Sequence, residues 1–586
     1  MSGASRSAGP ALALAGALLV GACGSAPPPA SSSAPPSASS SAPPSAPPPA
    51  RLVVLIVVDQ LPSWSFAALS PTLRAGFRRL LDHGVYVPRL QLPYGVPLTA
   101  PGHATLATGA PPAVHGVLGN SWYRRASKLV VDADEDPRSP IFQLAPSPGQ
   151  AAVLSSGSSS VALRVPGLAE ALHQGTGGRG QAVAIGLKAR AACFVAGQHP
   201  DEVIFFEPDA GGMTTSTAYA AAIPPWLVAH AAAFPMSRHL GAQWHPLNEA
   251  RLRTVTGVED AAPGEGGEHQ LGEVFPHQLA KSSSPGKALA LTPFGDQLVL
   301  EAARAAVTRR RLGADEVPDL LALSLNSHDF TGHSFGQGSW EQVDLLWRLD
   351  AELGALFTFL DEQVGAEHYA VVLTSDHGAT PLVERGGVPG ARRIPPVEIL
   401  RVAEAAFDAA AGAGDWVADL SSSNLYLTAA GRALDAPLRA RALDATAEAI
   451  SQIPGVLAAG RYEPILGAVP GDCPRGSALE RAMCLSAAPG EHGELYVVPR
   501  PGSLITSFRT GTHHDAPSDD NRQVPLLVMA PGVAARTEPG VITNLQVAPT
   551  VAALLGVPPP SAARAAALVL RAPSASAPSA PSAPVR

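Results

Sequence analysis

The amino-acid sequence predicts an α/β fold: a mainly parallel β-sheet flanked by helices on both faces, with cap insertions. Short aliphatic runs that are typical of strands buried on both faces alternate with longer helix-like stretches, and this alternation is the pattern of such a sheet. Hydrophobic residues make up 46% of the 586 residues, enough for a large core. Because no internal repeat and no long Pro/Ser-rich linker interrupts residues 51–570, we expect one large domain there.

The predicted elements follow one another along the whole of this domain. The strand-like runs are residues 51–58, 181–186, 320–325, 369–374 and 524–529. The clearest helix-like stretches are residues 295–308, 340–364 and 438–453. The stretch from about residue 200 to 285 is poor in clear strands, and we expect it to form a cap over the sheet.

The two ends of the chain differ from this domain in composition. Residues 1–23 are typical of a secretory signal, with an apolar stretch at 11–22 that is too short to span a bilayer and that ends in a lipobox-like sequence at Cys23. The alternative is a plain signal peptide with an incidental cysteine. Residues 24–50 contain only Gly, Ser, Ala and Pro and predict an extended spacer, and residues 571–586 form a similar tail. We therefore expect an exported protein, a periplasmic or cell-surface lipoprotein that touches the membrane only through a lipid on Cys23.

Charge and cysteine content narrow the function classes. Lys and Arg total 41 against 49 Asp and Glu, which argues against a nucleic-acid-binding surface. Cys473 and Cys484 stand in a Gly/Pro-rich stretch and are expected to pair in an oxidising compartment, which leaves Cys193 as a buried free thiol. No CxxC spacing occurs among these three, which argues against a thiolate zinc site.

Acids, histidines and bases follow the predicted strands, where an open α/β sheet binds its ligands. Each alone is more often a turn or helix-cap residue, but three carboxylates and three histidines together form a mixed oxygen and nitrogen set. Such a set suits zinc or another transition metal, and six ligands are too many for one tetrahedral ion, so two metals are expected. The residues are Asp59, Asp329, His333, Asp376, His377 and either His513 or His514, with Lys188 and Arg190 after another strand.

Thr99 is the candidate nucleophile. It lies in the segment 96–105 at the predicted start of a helix, where backbone N–H groups and the helix dipole favour an anion. One interpretation is an ordinary N-cap threonine. Beside two metals, the same hydroxyl would instead serve as a nucleophile, because bound metal ions promote loss of its proton.

At these residues the sequence resembles the alkaline phosphatase superfamily, in the threonine-nucleophile branch that includes type I phosphodiesterases and nucleotide pyrophosphatases. It is most similar to the bacterial alkaline phosphatases called phosphate-irrepressible. The resemblance covers roughly residues 51–560. The segments that carry it are 57–60, 97–103, 115–123, 292–295 and 375–378.

This resemblance implies a site with two Zn²⁺ ions per chain. One ion would be held by Asp59, Asp376 and His377, with Thr99 completing its set, and the other by Asp329, His333 and His514. His514 is preferred to His513 because the family histidine stands three residues after a glycine, here Gly511. Asn120, Lys188 and Arg190 would contact the phosphoryl oxygens. Two departures from the family pattern are Gln546 in place of an aspartate and Asp515 in place of a small residue.

The implied activity is hydrolysis of small-molecule phosphate monoesters through a phosphothreonine on Thr99. In this branch the Lys-x-Arg pair marks the monoesterases, and two cations two residues apart after a strand are expected to project the same way. The alternatives are a phosphodiesterase or nucleotide pyrophosphatase on the same fold, and a non-catalytic surface lipoprotein. A sulfatase would need a Cys or Ser in a C/S-x-P-x-R run, and a cofactor-independent phosphoglycerate mutase would present a serine nucleophile.

Overall fold

The computed structural model describes residues 49–146, 150–474 and 476–570. The predicted signal segment with Cys23, the spacer as far as residue 48 and the tail 571–586 lie outside these residues. In the part of the chain that is described, no helix combines the length and the apolar character needed to cross a membrane.

The strands and helices alternate along the chain. The strands are β1 (Leu52–Val58), β2 (Val85–Gln91), β3 (Ser121–Arg124), β4 (Leu129–Asp132), β5 (Glu135–Phe142), β6 (Val153–Ser158), β7 (Ala182–Gly186), β8 (Glu202–Glu207), β9 (Gly212–Thr214), β10 (Gln243–Trp244), β11 (His277–Gln278), β12 (Asp319–Leu325), β13 (Tyr369–Thr374), β14 (Arg393–Ile394), β15 (Val417–Ser421), β16 (Asn424–Leu427), β17 (Val456–Arg461), β18 (Leu495–Pro499), β19 (Leu504–Ile505), β20 (Gln523–Met529), β21 (Arg536–Thr537) and β22 (Ile542–Thr543). The helices are α1 (Ser63–Leu69), α2 (Gly76–His83), α3 (Thr99–Thr108), α4 (Pro112–His115), α5 (Leu168–Thr176), α6 (Ala189–Phe194), α7 (Pro225–Ala233), α8 (Glu249–Thr256), α9 (Pro285–Ala290), α10 (Pro293–Arg310), α11 (Ser327–Phe335), α12 (Trp340–Gln363), α13 (Pro396–Ala411), α14 (Ala429–Ala433), α15 (Ala436–Ser451), α16 (Ala478–Ser486), α17 (Asp519–Arg522) and α18 (Val547–Leu555).

One large sheet organises the domain, in the order β21-β2-β20-β13-β1-β12-β7-β8-β9 with β22 beside β2. The five strands β13, β1, β12, β7 and β8 run parallel. Strand β20 is antiparallel to both of its neighbours, β13 and β2. The mainly parallel sheet expected from the sequence is therefore confirmed, and the five strand-like runs fall on β1, β7, β12, β13 and β20.

Both faces of this sheet are covered, which explains the continuous aliphatic run in β1. Leu52, Val54, Ile56 and Val58 face one core, where α10 and α12 pack. Val53, Leu55 and Val57 face the other core, which contains residues of α5 and α18. Because successive side chains of a strand point to opposite faces, only a strand covered on both sides needs apolar residues at every position. All seven residues of β1 are buried.

The chain between β13 and β20 folds into a smaller layer of its own. The antiparallel strands β15, β16, β18 and β17 form a four-stranded sheet in that order. Its apolar face packs on α13 and α15 around Phe407, Leu425 and Ile450. Cys473 and Cys484 lie in this insertion and form the predicted disulfide, with Cα atoms 6.0 Å apart. Cys193 is the predicted buried free thiol.

The prediction that residues 200–285 are poor in clear strands does not hold at the beginning of that stretch. Residues Glu202–Glu207 form β8, and Gly212–Thr214 form β9 at the edge of the main sheet. The run Val203–Phe206 is short and lies between glutamates, so its strand character is weaker in the sequence than that of β1. The rest of the stretch consists of the short helices α7 and α8, single helical turns and a two-residue β10–β11 pair.

Candidate active site and metal centre

The predicted site residues meet at one edge of the main sheet. Asp59 follows β1, Asp329 lies in the first turn of α11 just after β12, and Asp376 and His377 follow β13. These strands are parallel, so their carboxyl ends share an edge. His514 precedes β20, and it reaches the same edge because β20 runs in the opposite direction.

The first group of side chains surrounds a point near His377. The Nε2 atom of His377 lies 3.3 Å from Oγ1 of Thr99, 3.3 Å from Oδ1 of Asp59 and 3.3 Å from Oδ2 of Asp376. Ligand atoms about 2.0–2.1 Å from a tetrahedral zinc ion lie about 3.3 Å from one another. The three distances from Nε2 of His377 are therefore those expected if the four atoms held one zinc ion.

Two carboxylate oxygens of this group support the same conclusion. Oδ1 of Asp59 and Oδ2 of Asp376 are buried and accept no hydrogen bond from the described residues. A buried carboxylate oxygen without a partner costs several kcal/mol unless a cation or a donor satisfies it. A cation bound in this group would satisfy both oxygens.

The second group surrounds Asp329. Its Oδ1 atom lies 3.3 Å from Nε2 of His333 and 3.6 Å from Nε2 of His514. Asp329 and His333 are four residues apart on α11, which places them on the same side of the helix. Ligand atoms of Asp329, His377 and His514 lie within 4.8 Å of one another. Since His377 belongs to the first group, the two groups are adjacent.

The three histidines present the same nitrogen to the site. Nδ1 of His333, His377 and His514 donates to the backbone carbonyls of Thr512, Gly378 and Pro97, at 2.7, 3.0 and 2.8 Å. A carbonyl only accepts, so each Nδ1 carries a proton, and each Nε2 faces the carboxylates. This is the arrangement that orients imidazole as a metal ligand. Burial and the neighbouring His514 also hold the pKa of His377 well below its ordinary value, which keeps that ring neutral.

His514, and not His513, approaches the carboxylates. The His514 ring is buried and stacks on His377 with centroids 3.6 Å apart. The half-buried His513 ring lies beside His333 at 4.9 Å and beside Phe508 at 6.0 Å, farther from the sheet edge.

Lys188 joins the two groups. Its ammonium donates to Oδ2 of Asp59 at 2.8 Å and to Oδ2 of Asp329. Burial lowers the pKa of Lys188, but the carboxylates of Asp329 and Asp59 outweigh it and raise the pKa overall. Burial raises the pKa of Asp376 to about 7, and the charge of Asp59 adds to the shift. The three buried carboxylates of Asp59, Asp329 and Asp376 carry more negative charge than one lysine can balance, so the site favours binding of cations.

Thr99 is the first residue of α3 and not its cap. The N-cap position belongs to Leu98, and the Thr99 hydroxyl contacts Nε2 of His377. The N-cap interpretation of Thr99 is therefore wrong. A Cβ atom at Gly102 would lie 2.6 Å from the backbone oxygen of Asp376, so the glycine permits the close approach that brings α3 to the site.

Asn120 contacts the start of α3, and Arg190 lines a cavity beside Lys188. The side-chain oxygen of Asn120 accepts from the Ala100 N–H at 2.8 Å, so its amide N–H₂ group faces away from α3. Lys188 is the N-cap residue of α6 and Arg190 the second residue of that helix. The helix begins between them, directly after β7, so the two cations follow a strand as expected from the sequence. Both side chains line one cavity of about 320 Å³, and Nε of Arg190 is buried without a partner among the described residues.

Three polar residues that the sequence analysis gave no role hold the carboxylates in place. Gln60 donates its backbone N–H to Oδ1 of Asp376 at 3.3 Å and its Nε2 to Oδ1 of Asp329 at 2.7 Å, and its φ of 61° lies in the left-handed region. Asn326 donates to Oδ2 of Asp59 at 2.7 Å and accepts from the Lys188 N–H at 3.0 Å. Nδ1 of His103 donates to the Thr99 carbonyl at 2.9 Å and lies 3.2 Å from Oδ2 of Asp376 without a hydrogen bond to it. Their positions in the sequence could have indicated this role, because each lies in or beside a motif that contains a candidate site residue.

Neither departure from the family pattern disturbs these contacts. Gln546 stands before α18, and its Oε1 atom accepts from the Thr543 N–H at 3.2 Å, a helix-start contact. Asp515 is half-buried, and desolvation of its carboxyl raises its pKa to about 7.

Comparison with known proteins then assigns the family. Residues 53–517 match the family described as type I phosphodiesterase / nucleotide pyrophosphatase. The chain belongs to this family. The resemblance seen in the sequence is confirmed, and the chain is a phosphoric ester hydrolase of the alkaline phosphatase type.

Individual relatives within this family are alkaline phosphatases. The chain is 28% identical to alkaline phosphatase PafA of Elizabethkingia meningoseptica over 88% of this chain and 93% of the relative. It is 30% identical to alkaline phosphatase PhoV of Synechococcus elongatus over 59% of this chain and 63% of the relative. The crystal structure of PafA superimposes with a TM-score of 0.78 at 25% identity, covering 89% of this chain and 99% of that one. A PafA variant with a threonine, an asparagine, a lysine and an arginine substituted superimposes with a TM-score of 0.77.

Proposed function

We propose that this family member is an exported phosphate monoesterase that transfers the phosphoryl group to Thr99 at a two-zinc site. The observation that carries the proposal is the position of the Thr99 hydroxyl, 3.3 Å from the same His377 nitrogen that lies 3.3 Å from Asp59 and Asp376. A hydroxyl held within a metal-ligand set is suited to act as a nucleophile. The first ion would be held by Asp59, Asp376, His377 and Thr99, and the second by Asp329, His333 and His514.

The chain's own groups account for the two halves of the reaction. Oγ1 of Thr99 forms a bond to phosphorus as the ester oxygen leaves with its electron pair, and the products are a phosphothreonine and the alcohol. Water then attacks the phosphothreonine, releasing inorganic phosphate and restoring the hydroxyl. The zinc ions, when bound, supply Lewis-acid charge that lowers the pKa of the attacking oxygen and offsets charge on the phosphoryl group.

Monoester preference rests on the cations beside the two groups. A monoester dianion carries one more negative charge and one more free oxygen than a diester. Lys188 contacts one carboxylate from each group, so its ammonium lies beside the space between them. Arg190 lines the same cavity, and the Asn120 amide faces away from α3. Charged donors of this kind contribute a few kcal/mol each to phosphoryl binding. The PafA variant described above alters the same four residue types, which supports the assignment.

Diester hydrolysis is the second candidate, because the matched family is described as type I phosphodiesterase. In a diester, one of the oxygens that Lys188 and Arg190 would meet bears an organic group. Both cations would then lose a partner in a buried setting, which costs binding energy.

Export is part of the same proposal. The disulfide between Cys473 and Cys484 is consistent with an oxidising compartment, where such bonds persist. The lipobox-like sequence ending at Cys23 would supply the anchor, and the uncharged spacer that follows would hold the enzyme away from the lipid.

The experiment that tests the proposed function compares one aryl phosphate monoester with the matching aryl diester. Purified full-chain protein is assayed for kcat/KM on both substrates, with inorganic phosphate as a competitive inhibitor. We expect the monoester to be the better substrate by at least about 100-fold, since about 3 kcal/mol of charge recognition is lost with the diester. Equal values, or faster diester turnover, would favour the phosphodiesterase.

A further inference from the structure

A row of aromatic rings leads outward from the second ligand group. The His333 ring lies 4.9 Å from the His513 ring, and the His513 ring lies 6.0 Å from the Phe508 ring at an interplanar angle of 21°. Phe508 is 61% exposed, His513 is half-buried and His333 belongs to the candidate metal ligands. The His333 and His513 rings are tilted at 57°, and only the His513 and Phe508 rings stack. A large exposed aromatic ring joined to a buried site by such ring contacts is a candidate binding surface.

The row of rings lies on the side of the site where the leaving group of the proposed reaction would depart. Displacement at phosphorus is in line, so the departing oxygen lies on the side opposite to Thr99. Thr99 contacts the first ligand group, through His377. The far side of the phosphoryl group is therefore the side of Asp329 and His333, from which the aromatic row extends.

The length of the row limits which leaving groups reach its end. Two ring-to-ring steps, of 4.9 Å and 6.0 Å, separate His333 from Phe508. An aromatic ring bonded directly to the ester oxygen remains near His333 and His513. A ring carried on a spacer of several bonds, such as a sugar, extends far enough to stack on Phe508.

The other opening beside the site serves the phosphoryl group and not the leaving group. The cavity of about 320 Å³ is bordered by Lys188 and Arg190, the cations assigned to the non-bridging oxygens, and by Lys287 farther out. It lies on the flank of the site that carries α6 and α9, whereas Phe508 lies in the loop between β19 and β20.

We propose that Phe508 and His513 form a leaving-group subsite that selects phosphate monoesters carrying an aromatic ring on a spacer. This inference rests on the proposed function, since it assumes a phosphate monoester bound between the two ligand groups. Stacking of a heteroaromatic ring on an aromatic side chain contributes about 1–3 kcal/mol by alanine substitution. An exposed ring such as Phe508 falls at the low end, so about a 5-fold preference depends on it.

The test uses purified full-chain protein and three monoesters: phenyl phosphate, a hexose 6-phosphate and a nucleoside 5′-monophosphate. They offer a ring without a spacer, a spacer without a ring, and both together. Phe508→Ala is compared with Phe508→Tyr, which keeps the ring, and with Lys287→Ala as the matched control in the other opening. We expect Phe508→Ala to lower kcat/KM for the nucleoside monophosphate about 5-fold, mainly through KM, relative to the hexose phosphate. Phe508→Tyr and Lys287→Ala should keep the wild-type ratio.

A binding measurement separates recognition from turnover. In the Thr99→Ala background, calorimetry of the nucleoside monophosphate should give a dissociation constant about 5-fold weaker when Phe508 is also alanine. The inference is overturned if the ratio of nucleoside to hexose phosphate stays within 2-fold of wild type in Phe508→Ala, or if Lys287→Ala changes it as much. A wild-type enzyme that hydrolyses none of the three monoesters overturns the proposed function instead.

Discussion

Oγ1 of Thr99 and Nε2 of His377 lie 3.3 Å apart, although the residues are 278 positions apart in the chain. The contact exists because α3 begins at Thr99 and because His377 follows a parallel strand that ends at the same sheet edge. Since Leu98 and not Thr99 is the N-cap residue, the hydroxyl has no helix-capping role that would explain its position. The position of this hydroxyl beside the carboxylates is therefore the strongest indication that Thr99 is the nucleophile.

Replacement of Thr99 tests this indication. We expect Thr99→Ala to lower kcat by roughly 1,000-fold or more, because the group that accepts phosphorus is removed. The melting temperature should change little, since the side chain caps no helix. Thr99→Ser keeps a hydroxyl and should retain much of the activity. Turnover of Thr99→Ala within about 10-fold of wild type would show that another group attacks phosphorus.

The pair Lys188 and Arg190 should distinguish monoesters from diesters. We expect Lys188→Ala/Arg190→Ala to depress kcat/KM for an aryl monoester by about 100-fold or more, and for the matching diester far less. Lys287→Ala, at the edge of the same cavity, is the control that removes a cation without touching Asp59 or Asp329. Equal losses on the two substrates would assign the pair a general structural role.

Most of the fold was predictable because the central strands are buried on both faces. The β1 run is apolar at every position, and the residues that follow it and its parallel neighbours were expected to converge. The cap was harder, because β8 and β9 are short and β8 is bounded by glutamates. Burial of Glu202 beside Trp226 and Arg310 is a tertiary effect that no local pattern reveals.

The candidate ligand residues were predictable from the sequence, but the residues that hydrogen-bond to them were not. The resemblance supplied the ligand candidates, and the antiparallel direction of β20 explains why the segment before that strand reaches them. The contacts of Gln60, Asn326 and His103 depend on side-chain geometry across three separate segments. A hydrogen bond between residues more than 200 positions apart leaves no signal in the local sequence.

A buried acidic cluster should make stability depend on pH. Burial raises the pKa of Glu265 to about 8, the nearby Glu341 adds to the shift, and Arg385 opposes it from 3.2 Å. The folded protein keeps the Glu265 proton up to about pH 8, whereas the unfolded chain releases it near its ordinary value of about 4.5. Stability contributed by this proton is therefore full below about pH 4.5 and is lost as the pH rises toward 8.

Glu265→Gln removes this titration while it keeps an acceptor for the Ala262 N–H. We expect the unfolding free energy of wild type, minus that of the variant, to fall steadily between pH 5 and pH 8, on the order of 1 kcal/mol per pH unit at most. Chemical denaturation of both proteins in the same buffers measures it, and terms common to both, such as metal binding, cancel. A difference that stays constant or rises with pH would contradict the shift.

Processing of the amino terminus tests the proposed export. We expect the mature protein to begin at a lipid-modified Cys23 and to partition with membranes, and Cys23→Ser to be released in soluble, active form. Intact-mass measurement of protein expressed in a bacterium with lipoprotein processing reads out the modification. An unmodified residue 23 in a mature, exported chain would favour the plain signal peptide.

The metal content of active enzyme tests the central claim most directly. Elemental analysis of purified full-chain protein should find about two zinc ions per chain, held by the carboxylates and histidines around His377 and Asp329. His514→Ala should lose about one equivalent, whereas His513→Ala should keep both, because Nε2 of His514 lies 3.6 Å from Oδ1 of Asp329, whereas the His513 ring lies beside His333 and Phe508. Chelation should abolish turnover, and added zinc should restore it. Fully active protein that contains no transition metal would contradict the account.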